Sequence, residues 1–315
     1  MAASNKINRR NFIVTGAKFG ALGLLSTLPE FVQAKSKTKQ ITILHTNDWH
    51  SRIEPFPSDA GKNAGLGGAA TRAALIQKIR EEQPNVILLD AGDIFQGTPY
   101  FNFFEGELEY KLMSAMGYDA ATLGNHDFDN GIEGIVNQLQ HANFDLINCN
   151  YNFSGTLLEA KVKPYKIIQK NGIKIGITGV GIDLKGLVSD ELFGNIIYTD
   201  PVQKASDMAR ELKQQKGCDF VICLSHLGFE YPSDKISDKI LAQKSSNIDL
   251  IIGGHTHTFL PKPIIVKNTL NQDVIVNQAG WAGLQLGRID LFFDKAKNLV
   301  NTGLSGNMTI GEKSV

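Results

Sequence analysis

No sign of charge dominates this chain: 32 Lys and Arg face 32 Asp and Glu, for a formal net charge of zero. The basic surplus that nucleic-acid binders carry is missing, so a nucleic-acid partner is not indicated. Cysteine is scarce. Cys149, Cys218 and Cys223 are an odd number with no C-x-x-C spacing among 315 residues, which rules out a disulfide framework. Their apolar, strand-like surroundings predict buried thiols, and a five-residue spacing within one strand would turn Cys218 and Cys223 to opposite faces. Long apolar runs are lacking too. The uncharged stretch at 19–29 is well short of the roughly 20 residues a bilayer needs, so no stable membrane anchor is expected. What remains is the composition of a globular chain, 42% hydrophobic and 8% aromatic, of a length that one large α/β domain can use.

The first residues have their own organisation. Arg9 and Arg10 precede an apolar segment that runs to Leu28, interrupted by Lys18, and Val32-Gln33-Ala34 offers a small-residue cleavage site. Charge, apolar stretch and small-residue exit follow the order of an export signal, and the paired arginines resemble the twin-arginine class. Residues 1–34 are therefore expected to engage the twin-arginine export machinery and to be removed near Ala34. A periplasmic or otherwise exported domain over 35–315 would remain.

Beyond that point strand and helix patterns alternate. The continuous apolar run at 86–89 reads as a strand buried on both faces and 220–224 as another buried strand, and 41–44, 119–123, 144–148 and 248–252 read as further strands. Helical periodicity marks 69–82, 105–116, 132–141, 201–216 and 235–244. Asn171-Gly172 between apolar segments signals a hairpin over 165–180, and the end of the chain, at 263–267, 273–276 and 288–293, reads as antiparallel and all-β. Strands alternating with helices and then giving way to hairpins predict two mixed sheets packed face to face with helices outside.

Polar residues gather where strands end. Asp48 and His50 follow the first strand, Asp93 the second and Asn125-His126-Asp127-Phe128-Asp129 the third, while His226, His255 and His257 follow two later ones. Loops leaving the carboxyl ends of neighbouring strands converge, which is where open α/β sheets hold ligands. Seven nitrogen and oxygen donors, Asp48, His50, Asp93, Asn125, His226, His255 and His257, suit two cations sharing a bridge. Asp93 is the candidate bridge, because close cations need a shared anion between them. Mixed imidazole and carboxylate ligation favours divalent transition metal ions, Mn, Fe, Co or Zn, over Mg or Ca. His126 and Asp129, three apart, can pair so that the acid orients and charges the ring. His45 and His141 lie outside these motifs and read as ordinary core or surface residues. Phe101, Phe103 and Phe104 could wall the site, with core packing the expected use.

The order Asp-x-His, Gly-Asp-x-x-x-Gly, Gly-Asn-His-Asp, His, Gly-His-x-His resembles the calcineurin-type metallophosphoesterases. Gly92–Gly97 and Asn125–Gly131 resemble their 5'-nucleotidase branch more narrowly. The resemblance implies a four-layer α/β/β/α sandwich and hydrolysis of nucleotides or other phosphate esters. It implies a first metal on Asp48, His50, Asp93 and His257, a second on Asp93, Asn125, His226 and His255, and a catalytic dyad of His126 and Asp129. Position 257 is histidine where some members of the branch have glutamine. Members also continue into a C-terminal domain that clamps the nucleoside, so a separate chain is expected to complete that site. The alternatives are a stand-alone phosphomonoesterase or phosphodiesterase of broad specificity, and a metal-dependent binding protein without turnover.

Overall fold

The apolar runs that lack alternation form strands covered on both faces. A computed structural model describes residues 38–304 and 306–311, so the segment at 1–34 expected to be an export signal lies outside the described residues. The chain begins β1 (Lys39–Thr46), α1 (Ala69–Glu82), β2 (Val86–Asp90), α2 (Pro99–Phe104), α3 (Glu107–Met116), β3 (Ala120–Ala121), α4 (Gly131–Gln138), β4 (Asp145–Leu146), β5 (Tyr151–Asn152). It continues β6 (Tyr165–Lys170), β7 (Ile173–Gly181), α5 (Asp190–Phe193), β8 (Ile197–Tyr198), α6 (Pro201–Arg210), β9 (Phe220–His226), α7 (Asp238–Lys244), β10 (Leu250–Gly253). It closes with β11 (Ile264–Lys267), β12 (Asp273–Asn277), β13 (Gln285–Phe293), β14 (Leu299–Gly303) and β15 (Met308–Thr309).

Two mixed sheets result. One is ordered β14-β13-β1-β2-β3-β4 with β15 on β13, the other β11-β12-β10-β9-β7-β6, and β5 pairs with β8 in a separate ribbon. Strand parity then sorts side chains into three cores. Ile41, Ile43, Ile87 and Leu89 of the first sheet meet Phe220, Ile222, Leu224, Leu250 and Ile252 of the second between the sheets. Their alternates face outward. Leu44, Val86 and Leu88 pack with Ile76 and Ile79 of α1 and Met113 of α3, while Val221, Cys223 and Ile251 pack with Ala205 and Ala209 of α6 and Leu241 of α7. That is the expected four-layer α/β/β/α sandwich. Each fully buried Ile or Leu contributes about 1.5–3 kcal/mol.

The hairpin forms as predicted, with Lys170 opposite Ile173 and both turn residues, Asn171 and Gly172, at positive φ. Several boundaries differ. The helix predicted over 105–116 starts only at Glu107, because Glu105 (φ 53°) and Gly106 (φ 96°) break the chain between it and the short helix α2. The helix predicted over 201–216 is regular only to Arg210, and Glu211–Gln215 follows as a wider π turn. The one predicted over 235–244 starts at Asp238, where the Ser237 hydroxyl accepts from the Ile240 amide as an N-cap. At the end of the chain, β12 pairs parallel with β10 while β11 lies antiparallel outside it. The chain passes to the sheet edge and returns inside, which gives the second sheet its fourth parallel strand. Cys218 and Cys223 share one core between the second sheet and its helices rather than facing opposite sides. Strand parity does not apply to Cys218, because β9 starts only at Phe220. Among the described residues no helix is long and apolar enough to cross a membrane.

Candidate metal centre

All the predicted donors meet where β1, β2, β3, β9 and β10 end. Asp48, His50 and His257 form one cluster and Asp93, His226 and His255 a second, with the candidate ligand atoms of each within 4.8 Å of one another. Asp93 stands between them: its Oδ2 lies 3.1 Å from His226 Nε2 and 3.9 Å from His50 Nε2. Asn125 joins the second cluster through its Oδ1, 2.8 Å from His255 Nδ1. In the first, His257 Nε2 lies 3.4 Å from Asp48 Oδ1 and 3.0 Å from His50 Nε2.

Backbone carbonyls orient two of the rings. His226 Nδ1 donates to the Ala91 carbonyl at 2.7 Å and His50 Nδ1 to the Gln96 carbonyl at 3.1 Å, so both rings turn Nε2 inward. A second hydrogen bond of this kind is how ligating imidazoles are held. His226 Nε2 is buried and, although Asp93 Oδ2 is 3.1 Å away, is not aligned to hydrogen-bond it, and in His50 and His257 two ring nitrogens point at each other. Both features fit cations, which take lone pairs that the protein leaves unmatched.

The electrostatics agree. Burial alone would keep His226 neutral, but the Asp93 carboxylate beside it raises the ring to about 10, and Asp93 lies well below the usual carboxylate range. Burial lowers His50, and burial followed by the charge of His226 takes His255 down to about 4. The pocket thus draws positive charge to Asp93 and favours the neutral form of His50 and His255, the form that metal ligation requires.

His126 and Asp129 sit to one side of these clusters. Nδ1 of His126 donates to Asp129 Oδ2 at 2.8 Å, and that hydrogen bond raises the ring above its ordinary value. The ring edges against His50 at 5.3 Å and lines an open cleft of about 260 Å³ with His50, His257, Arg52, Gln96 and Trp281.

Backbone strain marks the same loops. Asp48, His50, Asp93, His255 and His257 all have φ between 50° and 72°, a region that costs a non-glycine residue on the order of 1 kcal/mol. Two glycines let the loops meet. A Cβ on Gly92 would stand 2.5 Å from the Gly124 amide, and one on Gly124 would stand 2.2 Å from Asp93 Oδ1.

Sequence reasoning missed two residues here. Asp127, buried beneath the centre, accepts four amides: Gly124 at 2.8 Å and Asp93 at 3.0 Å on Oδ2, Ile94 at 2.9 Å and Phe95 at 3.2 Å on Oδ1. It ties the Asp93 loop to the Asn125 loop, and its place inside the Asn-His-Asp motif was the available signal. Trp281 lies flat on His257, centroids 5.4 Å apart and planes 6° apart, with no local pattern to announce it. Of the two histidines outside the motifs, His45 is buried against Asn277, where burial lowers it to about 3.

A sandwich with these donors at the joined ends of its sheets is the arrangement of a phosphoesterase, and residues 41–259 match the calcineurin-like phosphoesterases; the chain belongs to that family. Its similarities are more particular still. A snake venom 5'-nucleotidase of Gloydius brevicauda is 36% identical over 297 residues, a match taking in 88% of this chain and 49% of that protein. The 5'-nucleotidase of Rattus norvegicus is 36% identical over 312 residues, 91% of this chain and 52% of its own. The crystal structure of a 5'-nucleotidase precursor from Thermus thermophilus superposes with a TM-score of 0.79 at 31% identity, covering 86% of this chain and 55% of that one. The chain thus spans about half the length of the relatives it matches.

Proposed function

We propose that the chain is a phosphomonoesterase of the 5'-nucleotidase type, releasing phosphate from nucleoside monophosphates at a centre of two divalent transition metal ions. The observation that carries this is the placement of Asp93 between the Asp48, His50 and His257 cluster and the His226 and His255 cluster, beside the open His126 and Asp129 pair. Asp48, His50, Asp93 and His257 would hold one ion, and Asp93, Asn125, His226 and His255 the other. When bound, such a pair neutralises phosphoryl oxygens and lowers the pKa of water from about 15.7 toward 7. The protein's own contribution is positioning and proton handling. Asp129 holds the His126 ring by Nδ1 and favours its charged form, leaving Nε2 open to the cleft. There it can donate to a phosphoryl oxygen or protonate the departing alkoxide. Export rests on the Arg9-Arg10 signal alone, and fractionation of host cells with and without an Arg9→Lys, Arg10→Lys change tests it.

Metal analysis together with kcat/KM for AMP, a cyclic nucleotide and an aryl phosphate on one sample tests the main reading. Two ions per chain and the highest value for AMP are expected. A preference for the cyclic nucleotide would replace it with a phosphodiesterase.

A further inference from the structure

Helix α2 carries more aromatic side chains than the core takes. Phe101 enters the core and stacks on Phe95 at 5.6 Å, but successive helix positions turn by 100°, so Phe103 and Phe104 point elsewhere and stay 79% and 47% exposed. Core packing is therefore the use of Phe101 alone. Tyr100 and Phe104, one turn apart, stack with centroids 6.4 Å and planes 21° apart. With Phe103 they form one side of a cleft of about 400 Å³, and Arg52, Ile53 and Glu54 form another. This cleft adjoins the one at the metal centre. Arg52 lines both, and the strand-end loop that lines the catalytic side at Gln96 and Gly97 runs on to the aromatic side at Thr98 and Pro99.

The chemistry offered there is specific. Flat, water-exposed rings suit stacking on another ring, and Arg52, which makes no ion pair among the described residues, lies at the join with the phosphate side. Glu54, held by the Tyr100 hydroxyl at 3.1 Å, keeps acceptor capacity for an exocyclic amine. We infer that the cleft lined by Tyr100, Phe103 and Phe104 binds the leaving group of the substrate, a nucleoside whose base stacks on these rings while its phosphate reaches the metal centre. The inference rests on the phosphomonoesterase reading and assigns nucleoside recognition to this chain's own surface rather than to a second chain.

The test uses the metal-loaded full chain and its Phe103→Ala, Phe104→Ala double variant. Three kcat/KM values, for AMP, p-nitrophenyl phosphate and glycerol phosphate, are measured alongside metal content and equilibrium dialysis with adenosine. Stacking on aromatic side chains predicts that the variant loses at least about fivefold on AMP, through KM, and a similar factor in adenosine binding. Glycerol phosphate kinetics and metal content should not change. Equal losses on AMP and glycerol phosphate, no loss on AMP, or failure of the parent protein to bind adenosine would each overturn the assignment. A loss on p-nitrophenyl phosphate as large as that on AMP would overturn the nucleoside in favour of any ring. If no ester is hydrolysed, the phosphomonoesterase reading fails, and adenosine dialysis on parent and variant still decides the cleft.

Discussion

Replacing Asp127 with asparagine tests whether the metal centre is held by one buried carboxylate. Both carboxylate oxygens accept two amides each, from Gly124 and Asp93 on one side and Ile94 and Phe95 on the other. Asparagine keeps one acceptor oxygen and turns an NH2 group toward the other pair, so two buried amides lose their acceptor. At about 1–3 kcal/mol for each orphaned group, the loss is about 2–6 kcal/mol. Removing a buried charge near Asp93 returns part of it, and a net destabilisation of about 2–4 kcal/mol is expected. Urea unfolding of the chelator-treated proteins measures this free of metal binding, and hydrogen exchange of the Asp93, Ile94 and Phe95 amides should quicken in the variant. The metal-loaded variant should hold less metal, because Asp93 and Asn125 no longer share an anchor. A variant that unfolds at the parent's urea midpoint and retains full metal would refute the reasoning.

Four further outcomes follow from the same geometry. Asp93→Asn should fall to one ion or none per chain by elemental analysis, and two retained ions would remove Asp93 as the bridge. His126→Ala should slow kcat by about 10²–10⁴-fold while metal content stays at the parent level, the range for a general acid; an unchanged kcat would end that role. Gly124→Ala drives a methyl group into Asp93 Oδ1 and should cost both metal and activity with little change in circular dichroism, whereas normal metal content would show the loops can part. His45 concerns pH. Burial holds its folded pKa near 3 against an ordinary 6.5, so its contribution is complete above pH 6.5 and is lost as pH falls toward 3, when the unfolded chain takes up the proton. At about 1.4 kcal/mol per pH unit, chelator-treated protein should lose about 2 kcal/mol from this residue between pH 6.5 and 5. A His45→Gln variant with the same pH slope as the parent would contradict it.

Much of this was legible in the primary structure because it depends on local rules. Apolar runs such as Val86–Leu89 have no polar face, so they must lie between layers, and Asn171-Gly172 can supply two positive φ angles with little strain. The donors Asp48, His50, Asp93, Asn125, His226, His255 and His257 each follow a strand, and parallel strands leave their carboxyl ends side by side. The strand-end pattern therefore carried the site. The break at Glu105-Gly106 was less readable, since glutamate at φ 53° contradicts its own helix propensity.

Sequence alone determined the four layers, the order of the donors and the pairing of His126 with Asp129, because period, turn chemistry and short spacings act within a few residues. Only the tertiary structure decided that β12 returns parallel to β10, that Trp281 lies on His257, and that Phe103 and Phe104 face a cleft instead of the core. Those facts depend on contacts between segments far apart along the chain, and no local pattern encodes which distant surface a side chain will meet.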